Sequence, residues 1–302
     1  MPSLRDRAIK LSKPEWLKIR LHSDPTYAEV ERIVKQHSLH TICSSGMCPN
    51  KAECWSRKTA TFMLMGDVCT RNCRFCATLT GRPLPLDPSE PEMLAESVEL
   101  MGLKHIVLTS VTRDDLEDGG AQHWVDAINT IRAKGMHTTI ELLISDMNNR
   151  VDSLRVVAES GADIIGHNIE TTRRLTPAIR STADYARSLD VLAQLAQMGA
   201  VTKSGIMVGL GESDQEVIET LEDLRAADVK IVTLGQYLRP TLQHHPVDRY
   251  VSPERFEWYK EQALAMGFSY CASAPLVRSS YLADEALGAV RALGAVKNGG
   301  NE

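Results

Sequence analysis

Residues 61–80 read TFMLMGDVCTRNCRFCATLT. Thr61 to Met65 is a short apolar run and reads as a strand. Three cysteines follow at once, as Cys69-x3-Cys73-x2-Cys76. They therefore fall on the loop at the C-terminal end of a strand, which in α/β barrels is the active face. Three thiolates at this spacing can hold three irons of a [4Fe–4S] cluster. An electron-transfer cluster takes four cysteines. A missing fourth ligand leaves an open coordination site, and open sites bind substrate.

Upstream lies CSSGMCPNKAECW, with Cys43-x4-Cys48-x5-Cys54. This second triplet can hold another cluster. Structural zinc is the alternative, but zinc sites show paired C-x2-C knuckles and fourfold ligation. Here there is one C-x2-C step and no histidine at ligand spacing. The seven cysteines are odd in number, so a complete set of intrachain disulfides is impossible. Cys271 stands apart in a strand or loop, and a lone cysteine is usually a small buried hydrophobe.

The chain has 302 residues, 34 basic and 39 acidic side chains and a formal charge of −5. That mild acidity argues against a general nucleic-acid or membrane-surface binder. A hydrophobic fraction of 43% supports a sizeable core. No apolar run reaches the ~18 residues of a membrane span. The first twenty residues carry six basic and two acidic groups, yet show neither an h-region nor a Ser-rich stretch. A reducing cytoplasm is the expected compartment, where clustered cysteines mean metal. No coiled coil or repeat argues against a monomer.

After the cysteines, strand candidates alternate with helical patterns, the signature of βαβ units. The strands expected are Thr61 to Met65, His105 to Thr109, Thr138 to Ile144, Asp163 to Gly166, Val201 to Val208 and Lys230 to Leu234. S-x-x-E capping boxes are expected at Ser89 with Glu92 and at Ser213 with Glu216. Ser252 before Pro253 reads as another helix start. Leu189, Leu192 and Leu195 mark a helix between Ala183 and Met198 that stops at Gly199. Six units are too few for a full (β/α)8 barrel, so an open or partial barrel is the expectation. Periodicity alone leaves a doubly wound sheet open.

The Cys-x3-Cys-x2-Cys triplet, with aromatic Phe75 before its last cysteine, resembles the signature of the radical S-adenosylmethionine (SAM) superfamily. The match narrows with the upstream triplet and with RSSY at Arg278 to Tyr281, which together resemble lipoyl synthase. So do TSVTRDDLEDGG (Thr109 to Gly120), GHNIET (Gly166 to Thr171), TKSGIMVGLGE (Thr202 to Glu212) and LGQYLRPT (Leu234 to Thr241). These segments run in family order from about residue 40 to 284. The sequence departs at Leu282, where a histidine is frequent, and at Ser273-Ala274-Pro275, which replaces a Gly-Pro.

The resemblance implies a partial (β/α)6 TIM-type barrel, residues 59–245. An N-terminal cysteine-rich extension, 1–58, would precede it, and a C-terminal extension, 246–302, would carry RSSY. It implies two [4Fe–4S] clusters. Cys69, Cys73 and Cys76 would hold the one that binds SAM. Cys43, Cys48 and Cys54 would hold an auxiliary cluster with a serine, Ser279 or preferably Ser280, as fourth ligand. The implied reaction inserts sulfur at C6 and C8 of a protein-bound octanoyl-lysine, with the auxiliary cluster as sulfur donor. No acid or base usefully deprotonates such carbons, so radical chemistry replaces a catalytic triad. The implied partners are an octanoylated lipoyl carrier domain, a ferredoxin- or flavodoxin-type reductant and iron–sulfur assembly proteins.

For SAM, the expectation is Asn168 and Glu170 on the ribose hydroxyls and Phe75 beside adenine. Lys203 or Arg187 is expected on the carboxylate, with Gln236 a weaker adenine candidate. Three other patterns are discounted. Gly209-x-Gly211 lacks the third glycine of a dinucleotide fingerprint. Asp114 to Gly119 breaks the calcium-loop order at Leu116 and reads as a hydrogen-bonded active-face loop. His244-His245 reads as a solvated loop.

Overall fold

A computed structural model describes residues 12–18, 25–36, 40–45, 48, 50–56, 61–180, 182–280 and 283–298. Tyr281, Leu282 and the extreme C-terminal tail lie outside these. The strands are β1 (Thr61–Leu64), β2 (Val68–Cys69), β3 (Leu79–Thr80), β4 (His105–Ser110), β5 (Thr139–Leu143), β6 (Ile164–Gly166), β7 (Thr202–Val208), β8 (Ile231–Gln236) and β9 (Tyr270–Ser273). Seven of them form one sheet in the order β1-β4-β5-β6-β7-β8-β9, every pair parallel. The order never reverses. Right-handed crossovers then place every helix on one face, which curls the sheet into an incomplete barrel and removes the doubly wound alternative. All six expected strands are present. β9 is a seventh, and it carries Cys271.

The helices bury their apolar stripes against the outer face. Glu90–Met101, Ala121–Ala133 and Val151–Ala158 pack on one half, around Trp124 and Leu94. Tyr185–Gln197, Asp214–Ala226 and Pro253–Ala265 pack on the other, around Phe256 and Tyr259. Ser213 and Glu216 form the expected capping box, and Ser252 accepts from the Arg255 N–H. The box expected at Ser89 does not form. Ser89 is already helical in backbone, and its hydroxyl binds Asp87 at 2.6 Å instead. Glu92 meanwhile pairs with Lys134 at 2.8 Å.

Both edges of the site are framed by chain termini. Thr41 bridges Phe62 in antiparallel fashion, and the Met63 N–H donates to the His40 carbonyl at 2.9 Å. The N-terminal segment thereby covers the free edge of β1. Behind it, Pro25–Gln36 packs on Lys51–Ser56 through Tyr27 and Trp55, whose rings lie 5.4 Å apart. Ala286 and Leu287 of the last helix, Ala283–Asn298, pack on Ile164 and Ile231, at the N-terminal ends of β6 and β8. That end is filled, so the opposite end is left to be the mouth.

Inside the barrel, Lys203 on β7 donates to both oxygens of Glu141 on β5, at 2.7 and 2.9 Å. Both side chains are at most 3% exposed. Glu141→Ala should therefore destabilise the protein by about 3–5 kcal/mol, because it strands a buried ammonium. Glu141→Leu with Lys203→Met should cost far less. Urea denaturation of the apoprotein measures both, and equal losses would show that pairing is not what matters there.

Candidate active site

The mouth holds an open cavity of about 610 Å³, within the range of small-molecule sites, ~300–1,000 Å³. Strand C-termini supply its wall: Met63, Thr109, Leu143, Gly205 and Gly235. The loop after β1 supplies Cys69, Cys73 and Cys76. Met65 and Gly66 turn the chain at positive φ, 68° and 90°. β2 and β3 then pair, closing the loop with the cysteines inside it.

The loop is clamped at its centre. Arg71, between the first two cysteines, donates to Asp114 at 2.7 and 2.8 Å and to Asp146 at 2.6 Å. Asp146 is completely buried and also accepts from Arg187 Nε at 2.9 Å. Burial alone would push the Asp146 carboxyl up, but the Arg71 hydrogen bond and charge hold it well below the ordinary carboxylate range. The acidic loop is thus hydrogen-bonded at the active face, as its sequence suggested. Asp114 serves the clamp, and Asp118 accepts from the Gly120 and Gln122 N–H groups.

His244 and His245 are half-buried and hydrogen-bonded to the cysteine loop, not free in a solvated loop. His244 Nε2 donates to the Cys76 carbonyl at 2.9 Å, and its Nδ1 accepts from Thr241 at 2.8 Å. The His245 N–H donates to the Arg74 carbonyl at 2.9 Å. The loop after β8 therefore holds the cysteine loop from its other side. Only the tertiary fold brings residue 244 to residue 76, so no local signal announces it.

The sulfurs themselves receive donors. The Arg71 and Thr112 N–H groups point at Cys69 Sγ, at 3.4 and 3.3 Å. Burial, then the neighbouring cysteines and Glu170 working against Arg180, pushes the Cys73 thiol up to about 12. Such thiols are protonated near neutrality, so loading with metal must displace protons. Three thiols on one wall, facing amide, carboxylate and guanidinium groups across a cavity, suit a site-differentiated cluster with an organic ligand. Among the described residues, no three His, Cys, Asp or Glu side chains converge to hold a single metal ion.

Asn168 and Glu170 border the cavity, with Asn168 Nδ2 donating to Glu170 Oε1 at 3.1 Å. Glu170 sits at φ 66° and bridges Ile206. Gly205 faces them: a Cβ there would lie 2.8 Å from Asn168 Oδ1 and 2.9 Å from Thr233 Oγ1. Phe75 borders the cavity and packs with Leu175, Ile179, Leu210 and Tyr237.

The two cations expected on the SAM carboxylate are elsewhere. Lys203 is held by Glu141 below the cavity, and Arg187 is held by Asp146 and the Thr182 carbonyl. Gln236 borders the cavity, but its amide is committed to backbone: Nε2 to the Val208, Tyr237 and Arg249 carbonyls, Oε1 to the Val251 N–H. Among the guanidinium groups that line the cavity, Arg180 is buried, is bonded to the Ile169 carbonyl and Ser188 Oγ and makes no ion pair among the described residues. It follows the short helix Thr176–Ile179 and belongs to no motif.

A second, small recess is ringed by Cys43, Cys48, Cys54 and Ser280, with Asn50, Thr61 and Arg278 between them. Asn50 Nδ2 donates to the Leu276 carbonyl at 2.7 Å and ties the two chain ends together. Ser280 borders this recess, whereas Ser279 borders the large cavity. Arg278 borders both. No cysteine is disulfide-bonded. Three thiols and a hydroxyl make four donors around one small space, as a four-iron cluster needs. Cys271 is buried in the β7–β9 core, away from either triplet.

The radical SAM superfamily model matches residues 63–224, and the chain belongs to that superfamily. Among solved structures, methylornithine synthase aligns with a TM-score of 0.53 at 15% identity, over 82% of this chain and 70% of its own. HydG, a maturase of the [FeFe]-hydrogenase, gives 0.54 at 14%, over 82% and 68%. At such identities these share the fold alone. Sequence relatives are far nearer. The lipoyl synthase of Parabacteroides distasonis is 55% identical over 91% of this chain and 98% of its own length. That of Bacteroides fragilis is 53% identical over 91% and 96%, and that of Symbiobacterium thermophilum 51% over 94% and 89%. The chain is a member of the lipoyl synthase family, an enzyme of lipoyl cofactor biosynthesis that works with a [4Fe–4S] cluster and SAM. Among the described residues no helix is long and apolar enough to cross a membrane.

His167, beside Asn168, gives a pH test. Its Nδ1 donates to the Ile144 carbonyl and its Nε2 accepts from Ser188, both at 3.0 Å. Burial, then the charge of Arg180, lowers its pKa from 6.5 to about 4. A depressed histidine takes its proton more readily when unfolded, so stability falls as pH drops from 6.5 toward about 4 and levels off below. Urea midpoints of the apoprotein should fall less in His167→Gln than in the parent over that window. Parallel curves would rule out this contribution.

Proposed function

We propose that the protein inserts two sulfur atoms, at C6 and C8, into an octanoyl-lysine carried on a protein domain. The sulfur donor is an auxiliary [4Fe–4S] cluster held by Cys43, Cys48, Cys54 and Ser280. The supporting observation is the second recess, with its three thiols and one hydroxyl, placed against the SAM cavity with only Arg278 shared between them. A donor that gives up its own sulfide is a co-substrate, and one hard oxygen ligand among three soft ones suits a group that must be dismantled.

SAM bound at the cluster of Cys69, Cys73 and Cys76 supplies the hydrogen-atom abstraction that an unactivated C–H bond demands. The chain's own residues place and shield it. Asn168 and Glu170 are assigned to the ribose hydroxyls and Phe75 to the adenine. Burial raises the Glu170 carboxyl, opposed by Arg180, which favours a hydroxyl contact over a full charge. Arg180 replaces Lys203 and Arg187 as the partner of the SAM carboxylate. Gly205 admits the ligand against the strand without a side chain.

In this reading residues 1–58 bring the auxiliary triplet, 59–245 the radical barrel and 246–302 the serine ligand. The partners are the octanoylated carrier domain, a low-potential ferredoxin or flavodoxin and iron–sulfur assembly proteins. Work of this kind belongs in a reducing cytoplasm, and we assign the protein there as a monomer.

Anaerobic reconstitution should give about eight irons per chain, four for each cluster. With SAM, reductant and an octanoyl-lysine peptide it should form deoxyadenosine and thiolated peptide. Cys48→Ala should still cleave SAM yet release unthiolated peptide. A folded Cys48→Ala that no longer cleaves SAM would reverse the division of labour between the triplets. Arg180→Met should weaken SAM binding about tenfold or more, the scale of one charge-assisted hydrogen bond, and Arg180→Lys should recover part of it. An unchanged SAM dissociation constant removes Arg180 from the site.

A further inference from the structure

We propose that Thr61 is the positioning residue that makes Ser280 a ligand: its hydroxyl donates to Ser280 Oγ and holds that oxygen in the three-cysteine recess. The inference rests on reading the recess as an iron–sulfur site.

Thr61 Oγ1 lies 2.9 Å from Ser280 Oγ, across 219 residues of chain. It is therefore a tertiary contact, not a local turn or cap. Thr61 opens β1 and is 4% exposed. Its register opposite Val107 on β4 fixes where the hydroxyl stands. Ser280 has no such frame, because it lies in the loop that follows β9. The rigid partner thus positions the loose one. Both residues border the recess with Cys43, Cys48 and Cys54.

A lone hydroxyl oxygen is a hard donor among soft thiolates and competes for iron only if it is held in place. The Thr61 hydroxyl fixes where that oxygen stands. Arg278 borders the same recess, makes no ion pair among the described residues, and donates to the carbonyl of the preceding Val277 at 2.7 Å. Gly235 is what lets this segment approach, since a Cβ there would lie 2.1 Å from the Val277 carbonyl oxygen. The contact also eases release. If Ser280 leaves iron, its oxygen still has Thr61 as a partner and is not orphaned.

The test uses the full chain with Cys69, Cys73 and Cys76 each changed to Ala, so that only the auxiliary cluster is present. Thr61→Val keeps the branched shape suited to a strand, and Thr61→Ala is a second hydroxyl-free variant. Iron release to a ferrous chelator is followed, with the resonance spectrum of the reduced cluster as an independent readout. Both hydroxyl-free variants should release iron at least about tenfold faster, as loss of one charge-assisted hydrogen bond predicts. Both should also shift the spectrum toward that of Ser280→Ala. Thr61→Ser should stay within about twofold of the parent, since it keeps the donor. Thr61→Val combined with Ser280→Ala should be no faster than Ser280→Ala alone, because the two act through one bond. Parent-like release from Thr61→Val, or multiplying effects in the double variant, overturns the role of Thr61 while leaving the two-cluster reading intact. A parent that binds no four-iron cluster overturns both.

Discussion

The site depends on Asp146. It is a carboxylate with no exposure to water, set between Arg71 and Arg187 and accepting the Asn148 N–H at 3.1 Å. An isolated carboxylate at that depth would be far too costly to bury. Paired this way, it fixes three segments at once. Arg71 carries the cysteine loop, Asp146 follows β5, and Arg187 lies in the helix that leads to β7. Removing either cation would leave the buried carboxylate with a single charged partner and would free one of the segments it joins. A radical reaction needs that stiffness, since its selectivity comes from where atoms are held.

The same clamp explains which expectations met the structure and which did not. The cysteine triplets were legible because ligand spacing is local: three residues and two residues apart, on one loop. The strands were legible because parallel strands bury both faces and read as apolar runs. RSSY offers Ser279 and Ser280 alike, and the structure shows only that they border different cavities, Ser280 the small recess and Ser279 the large one. Asn168 and Glu170 were reachable because they end a recognisable strand. Arg187 and Lys203 were misassigned for one reason. A lone cation in a sequence shows its charge and hides its partner, and here Asp146 and Glu141 had already taken both. Gln236 failed likewise, because backbone carbonyls that claim an amide leave no trace in sequence. Arg180 and His244 went unseen because neither belongs to a pattern. Arg180 follows a four-residue helix, and His244 reaches Cys76 only through the loop after β8.

The two recesses differ in how the chain builds them. The large one gathers strand ends that arrive in order along the sheet, so each βα unit adds one part of the wall. The small one joins residues 43–61 to residues 276–280, more than 200 positions apart, through the Asn50–Leu276 and Thr61–Ser280 contacts. It is complete only when β9 has docked on β8. Contacts of such separation carry the largest loop-closure entropy and open at lower free energy than a packed core. The large cavity within the sheet and the small recess at its seam are thus unequal in rigidity by construction.

That inequality suits the division of labour proposed for two clusters. On that proposal one survives every turnover, and its loop is held by a buried ion-pair network and by His244. The other would be consumed, so its ligands would part and re-form. Neither Arg180 nor Arg278 makes an ion pair among the described residues, and burial lowers the pKa of both guanidinium groups, opposed by Glu170 and Cys73 at the first and by Cys48 at the second. A cation held so in a cavity wall is poorly compensated by protein alone. On the proposed reading an anionic occupant would compensate each: the SAM carboxylate beside Arg180, and a thiolate-bound cluster beside Arg278. Arg278, which borders both cavities, would then be where filling one alters the field felt by the other.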